Sequence, residues 1–122
     1  MARVLVIDNS NNGVLKSKEI LENEGYNIEG CEDFESSIPL AKEKEPDLII
    51  LDLDTNSIDD VKRVLNAPET ASIPLIVSIT NKNNSARIKC IVSLWNGARD
   101  YILKPINKDE LIQRVHAQMK LS

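Results

Sequence analysis

The stretch that most constrains this chain is an apolar run that starts after a proline and ends on an aspartate. Residues 46–54 read PDLIILDLD, so residues 48–51 follow Pro46 and lead directly into Asp52. A short continuous apolar run between such breakers is typical of a strand buried on both faces of a parallel sheet. Periodicity alone leaves a buried helical turn open, but the proline and two β-branched isoleucines favour a strand. Asp52 then lies at the carboxyl end of a central strand, the edge where open α/β sheets bind ligands.

Shorter apolar runs alternate with helical patterns along the rest of the chain. The predicted strands span residues 4–7, 26–30, 48–51, 73–79 and 101–103. The predicted helices span residues 13–23, 34–41, 58–65 and 109–121, with a further helix that carries Ile88, Ile91, Val92 and Trp95. Because strands and helices alternate five times, we predict one α/β domain over residues 1–122, a five-stranded parallel sheet with five helices on both faces.

The apolar stripe of the fourth helix allows two interpretations. Its spacing favours packing against the core, with Trp95 on the same side as Ile88 and Ile91. An exposed Trp95 would instead be an anchor residue of an interface. The sequence leaves both interpretations open.

Composition excludes several classes of protein. A net charge of −4 provides no basic field for nucleic acid phosphates, so we expect no direct DNA binding. No run of eighteen apolar residues exists and the N-terminus lacks a signal sequence, so we expect no membrane span and a cytoplasmic protein. Cys31 and Cys90 are expected to be free thiols, and His116 has no metal-ligand partner at a suitable spacing.

The ends of four predicted strands carry polar or charged groups, which meet at one edge because the carboxyl ends of parallel strands lie together. These groups are Asp8 and Asn9, Asp52, Thr80 or Ser78, and Lys104. Oxygen ligands of this kind suit Mg²⁺, which needs only one or two carboxylates beside substrate phosphate. A carboxylate beside Mg²⁺, a lysine and a hydroxyl predicts phosphoryl transfer, with Asp52 as the covalent nucleophile. Lys104 would neutralise charge on the phosphoryl oxygens, and the hydroxyl would donate a hydrogen bond to one of them.

Four stretches of the chain resemble the receiver domain of response regulators when they are taken in order and at their spacing. They read VLVID at 4–8, PDLIILDL at 46–53, IPLIVSIT at 73–80 and GARDYILKPI at 97–106. The resemblance covers essentially the whole chain. It implies a flavodoxin-like sheet of order 2-1-3-4-5 and a phosphoryl group taken from a histidine kinase or a phosphotransfer protein. It also implies a downstream effector or output domain as a partner.

The resemblance also implies a role for each site residue. Asp52 falls on the phosphoryl acceptor, Asp8 on the first acid of a metal-binding pair, and Lys104 on the phosphate-contacting lysine. Asp54 falls where a backbone carbonyl reaches the metal. Two further positions match the conformational switch, namely Thr80 or Ser78 as the hydroxyl and Tyr101 as the aromatic residue. In such domains phosphorylation changes the face formed by the fourth helix, the fifth strand and the fifth helix.

The sequence departs from the family pattern at three places. Asn9 stands where the family has a second acid, which predicts weaker metal binding that the side chain of Asp54 could offset in part. Residues 56–57 read Asn-Ser in place of the usual proline-glycine, and both types favour turns. Thr80 follows Pro74 by six residues where five is usual; we choose Thr80 as the switch hydroxyl, with Ser78 as the alternative.

Two other functions compete with a phosphorylated receiver. Asn9 and the irregular fourth strand suit a pseudo-receiver, a binding domain that is never phosphorylated. The DLDT sequence at 52–55 resembles the D-x-D motif of haloacid-dehalogenase-type phosphatases, but those chains are longer and place the motif on the first strand. We therefore expect a signalling module that is not an enzyme. A homodimer through the fourth and fifth helices is an open alternative that no residue pattern supports.

Overall fold

A single parallel sheet forms the centre of the molecule. The computed structural model describes residues 2–121, so the predicted domain limits at residues 1 and 122 lie outside the described residues. The strands are β1 (Arg3–Ile7), β2 (Asn27–Cys31), β3 (Leu48–Asp52), β4 (Leu75–Thr80) and β5 (Asp100–Lys104). The helices are α1 (Gly13–Glu22), α2 (Ser37–Lys44), α3 (Ile58–Asn66), α4 (Asn84–Asn96) and α5 (Lys108–Leu121). The strand order is β2-β1-β3-β4-β5 with every neighbouring pair parallel, which confirms the predicted fold.

The core consists of two apolar clusters, one on each face of the sheet. Alternate residues of β1 and β3 contribute to opposite clusters, so both strands are buried on both sides. Helices α1 and α5 cover one face through residues such as Leu21 and Val115, and α2, α3 and α4 cover the other. Burying one such side chain contributes roughly 1.5–3 kcal/mol. The continuous burial of β3 therefore fixes Asp52 at the carboxyl end of the best-packed strand.

The boundaries of several elements follow from single residues. Gly25 has a φ of +90° just beyond α1, a conformation that glycine adopts without a steric penalty. Pro74 has no backbone N–H, and β4 begins at the next residue instead of at Ile73 as predicted. Ser57 caps α3 by accepting from the backbone N–H of Asp60, whose carboxylate accepts from the N–H of Ser57.

The apolar stripe of α4 faces outward, so of the two interpretations left open by the sequence the exposed one is correct and core packing is not. Ile88, Ile91 and Trp95 are 59%, 62% and 88% exposed. The side of α4 that faces the sheet carries small buried residues, namely Ala86, Cys90 and Ser93. These small side chains let the helix lie close to the sheet, and no space remains there for a tryptophan. None of the helices within residues 2–121 combines the length and the apolar composition needed to cross a lipid bilayer.

Candidate functional site

Lys104, the last residue of β5, lies between two buried carboxylates. Its Nζ is 2.9 Å from Oδ2 of Asp8 and 2.8 Å from Oδ1 of Asp52. Asp8 is 3% exposed and Asp52 is fully buried. The two facing carboxylate oxygens therefore lie within two hydrogen-bond lengths of each other, with a single ammonium group between them.

The charge balance of this cluster keeps Lys104 protonated. Burial by itself lowers the pKa of a lysine, because a low-dielectric environment disfavours the charged form. The hydrogen bonds and negative charges of Asp52 and Asp8 outweigh that effect, and the pKa of Lys104 is raised above its ordinary value. One cation is thus bound tightly beside two anions, and the site keeps an excess of negative charge.

Asp8 is positioned by the loop between β1 and α1. Its Oδ1 accepts hydrogen bonds from the backbone N–H of Ser10 at 2.8 Å and from the Ser10 hydroxyl at 2.5 Å. Gly13 is the first residue of α1, and a Cβ atom there would collide with the carboxyl group of Asp8. The missing side chain therefore lets the carboxylate approach the N-terminus of α1, where the helix dipole stabilises negative charge.

Asp52 is positioned by the loop that leads into α3. Its Oδ2 accepts from the backbone N–H of Thr55 at 3.1 Å and from the Thr55 hydroxyl at 2.8 Å. The Ser78 hydroxyl donates to Oδ1 at 3.3 Å, because Ser78 is the register partner of Asp52 on β4. Both oxygens of the predicted nucleophile thus already accept hydrogen bonds from the protein.

The structure brings Ser78, and not Thr80, to Asp52. The Thr80 hydroxyl donates to Oδ2 of Asp54 at 2.7 Å, and the Thr80 backbone N–H is 3.1 Å and 3.2 Å from the two oxygens of the same carboxylate. Thr80 lies on the same side of β4 as Ser78 but two residues farther along, beyond the end of β3. There the carboxylate of Asp54 accepts hydrogen bonds from both the hydroxyl and the backbone N–H of Thr80. The role of Thr80 as the switch hydroxyl remains a prediction.

Tyr101 on β5 is half-buried and packs against the cluster beneath α4. Together with Leu103, Arg87 and Ile91 it lines an apolar cavity of about 370 Å³ between β5 and α4. The guanidinium of Arg114 lies 5.6 Å from the centre of its ring. Tyr101 therefore borders a cavity and contacts a cation, and its role as a switch residue also remains a prediction.

The oxygen donors at this edge fit a site for Mg²⁺. Asp8 and Asp52 offer two carboxylates, the number that Mg²⁺ commonly uses in proteins. Asn9 is exposed beside them, with its backbone N–H donating to the Thr55 hydroxyl at 3.1 Å. Throughout residues 2–121, no three His, Cys, Asp or Glu side chains are grouped so that they could hold a metal ion. The site therefore offers two carboxylates, whereas the Asn9 amide and the Asp54 backbone carbonyl as metal ligands remain predictions.

Sequence reasoning missed three residues that shape this site, namely Ser10, Gly13 and Thr55. Ser10 and Thr55 follow Asp8 and Asp52 by two and three residues, a spacing at which a carboxylate accepts from the nearby backbone in a turn. That short-range signal was present in the sequence. The role of Gly13 depends on how closely α1 approaches β1, which the sequence does not reveal.

Comparison with known proteins places the chain in a family. The family model for the response regulator receiver domain matches residues 4–116. The chain is 27% identical to protein PilH of Pseudomonas aeruginosa over 96% of this chain and 97% of PilH. It is 32% identical to the DNA-binding response regulator MtrA of Mycobacterium tuberculosis over 97% of this chain, but it spans only about half of MtrA.

A solved structure supports the same assignment. The response regulator from Desulfuromonas acetoxidans superposes with a TM-score of 0.85 at 27% identity, over 99% of this chain and 98% of that one. The chain therefore belongs to the response regulator receiver domain family, whose members act in two-component signalling.

Proposed function

We propose that this chain is a phosphoacceptor whose Asp52 takes a phosphoryl group from a histidine kinase or a phosphotransfer protein. The observation that supports the proposal is Lys104 Nζ, which is within 3 Å of both Asp8 and Asp52. The amine and the two acids come from three separate strands. Buried charges are costly unless they are paired. A purely structural role therefore gives little reason for an amine and two acids to meet in the interior.

The proposed reaction transfers one phosphoryl group to a carboxylate oxygen. A bond forms between an oxygen of Asp52 and phosphorus, while the bond from phosphorus to the leaving atom breaks. That atom is a histidine nitrogen in a protein donor and an acetate oxygen in acetyl phosphate, and it keeps the electron pair. The Lys104 ammonium lies 2.8 Å from an oxygen of Asp52, where a cation favours the carboxylate form that attacks phosphorus.

Each neighbouring residue has a defined part in this step. The Lys104 ammonium moves with the transferred group and neutralises its oxygens. The Ser78 hydroxyl is already 3.3 Å from Asp52 and is placed to donate to a phosphoryl oxygen. Thr55 donates to the other carboxylate oxygen and thereby orients the nucleophile. Mg²⁺ held by Asp8, Asp52, Asn9 and the Asp54 carbonyl would neutralise charge on the phosphoryl group.

Downstream, we propose that phosphorylation changes the face formed by α4, β5 and α5. Tyr101 is half-buried on this face beside a cavity that could receive its ring. An effector or an output domain would recognise the change, as the DNA-binding relative suggests. The chain would act as a cytoplasmic signalling module and would not turn over a substrate of its own.

The test is phosphorylation by a small donor. The chain is incubated with acetyl phosphate and Mg²⁺, and its intact mass is measured by mass spectrometry. We expect one added phosphoryl group, which is absent from Asp52→Asn and absent when EDTA removes the metal. Asp54→Asn is the matched control, because it removes the neighbouring carboxylate and keeps the acceptor.

The same experiment separates the competing functions. A chain that stays unmodified with every donor and metal would support the pseudo-receiver, which Asn9 and the protein donors already bonded to Asp52 favour. Steady release of nitrophenol from p-nitrophenyl phosphate would support a phosphatase. Against that, Asp52 ends the third strand, and the carboxylate of Asp54 is engaged by Thr80.

A further inference from the structure

The carboxylate of Asp52 already has as many partners as a carboxylate can accept. Lys104 Nζ lies 2.8 Å from Oδ1, and the Ser78 hydroxyl donates to the same oxygen at 3.3 Å. The backbone N–H and the hydroxyl of Thr55 donate to Oδ2 at 3.1 Å and 2.8 Å. An ionised carboxylate has two oxygens with about four lone-pair positions in total. A metal ion can therefore bind Asp52 only by displacing one of these partners.

The position of the Lys104 ammonium determines which oxygen of Asp52 a second cation can approach. The ammonium lies at Oδ1 of a fully buried carboxylate. A divalent cation on the same oxygen would be repelled, and like charges repel more strongly in a buried site than in water. In the described part of the chain, both hydrogen bonds to Oδ2 come from Thr55, which is neutral. A metal ion at Asp52 is therefore expected on the side of Thr55.

Of the two donors of Thr55, the hydroxyl is the one that can move. The backbone N–H belongs to the turn after β3, which Asn56 closes by donating from Nδ2 to the carbonyl of Asp52 at 2.9 Å. The hydroxyl leaves Oδ2 by rotation about a single side-chain bond, from one staggered rotamer to another. Thr55 is exposed, so water can take the place of the contact that its hydroxyl gives up. The Thr55 hydroxyl is thus the partner of Asp52 that yields most readily to a metal ion.

The hydrogen bonds around the Thr55 hydroxyl fix the direction of its proton. Its oxygen accepts from the backbone N–H of Asn9 at 3.1 Å and from Nδ2 of Asn56 at 3.4 Å. A hydroxyl has one proton and two lone pairs, so both lone pairs are used and the proton points to Asp52. Asn9 belongs to the loop between β1 and α1, so the hydroxyl also ties that loop to Asp52. Turning the hydroxyl away breaks these contacts together, and their loss weakens the binding of a metal ion.

Asp8 has a similar partner in a different electrostatic setting. The backbone N–H and the hydroxyl of Ser10 donate to Oδ1 of Asp8 at 2.8 Å and 2.5 Å. The Ser10 hydroxyl also lies 3.5 Å from Lys104 Nζ, so a second cation is disfavoured there. Within residues 2–121, no charged nitrogen lies within hydrogen-bond reach of the Thr55 hydroxyl. The two acids are thus both covered by a neighbouring hydroxyl, and Thr55 is the one that a metal ion can replace.

We propose that the Thr55 hydroxyl competes with the metal ion for Oδ2 of Asp52. It satisfies this oxygen in the metal-free chain, and it turns away when the oxygen binds a divalent cation. Thr55 thereby stabilises the metal-free fold and lowers the affinity of the site for Mg²⁺. The inference rests on the metal site of the proposed function and adds to it a residue that sets its affinity. A purely structural Thr55 would stabilise the fold without lowering the metal affinity, so the two roles are separable.

The experiment measures Mg²⁺ binding to the full chain by isothermal titration calorimetry. Thr55→Val removes the hydroxyl and keeps the branched shape and the backbone N–H. We expect its Mg²⁺ affinity to rise roughly tenfold, because a hydrogen bond to a charged acceptor no longer competes, while urea denaturation shows a less stable metal-free chain. Thr55→Ser keeps the hydroxyl and should bind Mg²⁺ as the native chain does. An unchanged or lower affinity of Thr55→Val would overturn the proposal.

Ser57→Ala is the control for a general loosening of the loop between β3 and α3. The Ser57 hydroxyl accepts from the backbone N–H of Asp60 and has no bond to Asp52 in the described chain. Its loss should destabilise the metal-free chain, as the loss of a helix cap does, and leave the Mg²⁺ affinity unchanged. A rise in Mg²⁺ affinity equal to that of Thr55→Val would overturn the proposal, because loosening alone would then explain it.

NMR of the native chain tests the movement itself. Three-bond couplings report the χ1 angle of Thr55, which should change from one rotamer to another as Mg²⁺ saturates the site. An unchanged angle in the metal-bound chain would overturn the proposal, and so would the absence of Mg²⁺ binding by both the native chain and Thr55→Val.

Labelling of the native chain by acetyl phosphate reports on the proposed function separately. A native chain that is labelled, with a Thr55→Val variant that binds Mg²⁺ no more tightly, would overturn this inference alone. A native chain that is never labelled, with a Thr55→Val variant that binds Mg²⁺ more tightly, would support this inference and contradict the proposed function.

Discussion

At the scale of single residues, the positive charge of Lys104 allows two buried carboxylates to lie close together. Lys104→Met would leave Asp8 and Asp52 without their cation in the interior. We expect the free energy of unfolding at neutral pH to fall by about 3 kcal/mol, since removing one partner of a buried ion pair leaves an uncompensated charge. Urea denaturation measures this loss. Lys42→Met, which removes an exposed lysine from α2, is the control and should change little.

The pH dependence of this effect has a definite sign. The pKa of Lys104 is raised in the folded chain above its ordinary value of 10.5. Its stabilising contribution is therefore complete at neutral pH and is lost as the pH rises through the folded value. The difference between native chain and variant should shrink in alkali. A variant as stable as the native chain at pH 7 would contradict the electrostatic account.

Asp54 and Thr80 form a second pair whose strength can be measured. We expect Thr80→Val and Asp54→Ala each to lower the free energy of unfolding by about 1 kcal/mol, because each removes a hydrogen bond to a charged acceptor at the surface. The double variant should lose less than the sum of the two single losses. Urea denaturation of all four chains closes the double-mutant cycle. Strict additivity would mean that the two residues do not interact in solution.

The site was partly predictable at this scale, and the limit is physical. Asp8, Asp52 and Lys104 could be placed together from the sequence because parallel strands present their ends at one edge. The choice between Ser78 and Thr80 could not be made, because it depends on strand register and on where β3 ends. A difference of two residues keeps the side of the strand and changes the partner.

At the scale of elements, α4 shows what an apolar pattern can and cannot predict. The spacing of Ile88, Ile91 and Trp95 correctly places them on one face of a helix. Periodicity does not say whether that face points toward the sheet. Here the opposite face of the helix, which carries small residues, points toward the sheet. The inner side of α5 was predicted correctly because Leu111 and Val115 have no competing apolar stripe across the helix.

The orientation of α4 leads to a paired prediction. Ser93 is fully buried, and its hydroxyl donates to the carbonyl of Lys89 at 2.8 Å. Ser93→Leu should lower the free energy of unfolding by about 1–3 kcal/mol, because a larger side chain overpacks the space between helix and sheet. Trp95→Ser should stay within about 0.5 kcal/mol of the native chain, as an exposed position does. Thermal denaturation of both variants checks this, and the reverse order would mean that α4 is rotated.

At the scale of the whole molecule, the strand order explains why the cation is a lysine. Asp52 ends β3, while Lys104 ends β5 on the far side of β4. Neighbouring strands lie roughly 4.8 Å apart, so the amine must reach back about two strand spacings to the carboxylate. A long flexible side chain can do this, and a shorter one would leave the acids unpaired. The strand order therefore requires a long, positively charged side chain at position 104.

Negative charge at the site has opposite effects on two properties of the molecule: it lowers the stability of the metal-free chain, and it raises the affinity for a divalent cation. Asn9 is the residue at which both effects can be tested. Asn9→Asp would add a third carboxylate beside Asp8 and Asp52. Without metal we expect the variant to be less stable than the native chain, because the three like charges repel. With Mg²⁺ we expect it to gain more, since an anionic ligand binds the cation more tightly than an amide oxygen does. A tenfold gain in affinity corresponds to about 1.4 kcal/mol.

Thermal denaturation across a Mg²⁺ titration measures both effects, because a ligand that binds only the folded chain raises its stability with concentration. The two denaturation curves should therefore cross, with the variant below the native chain at low Mg²⁺ and above it at high Mg²⁺. Asn11→Asp is the matched control, since it adds the same charge to the same exposed loop outside the ligand set. Equal Mg²⁺ responses of the two variants would mean that position 9 does not contact the metal.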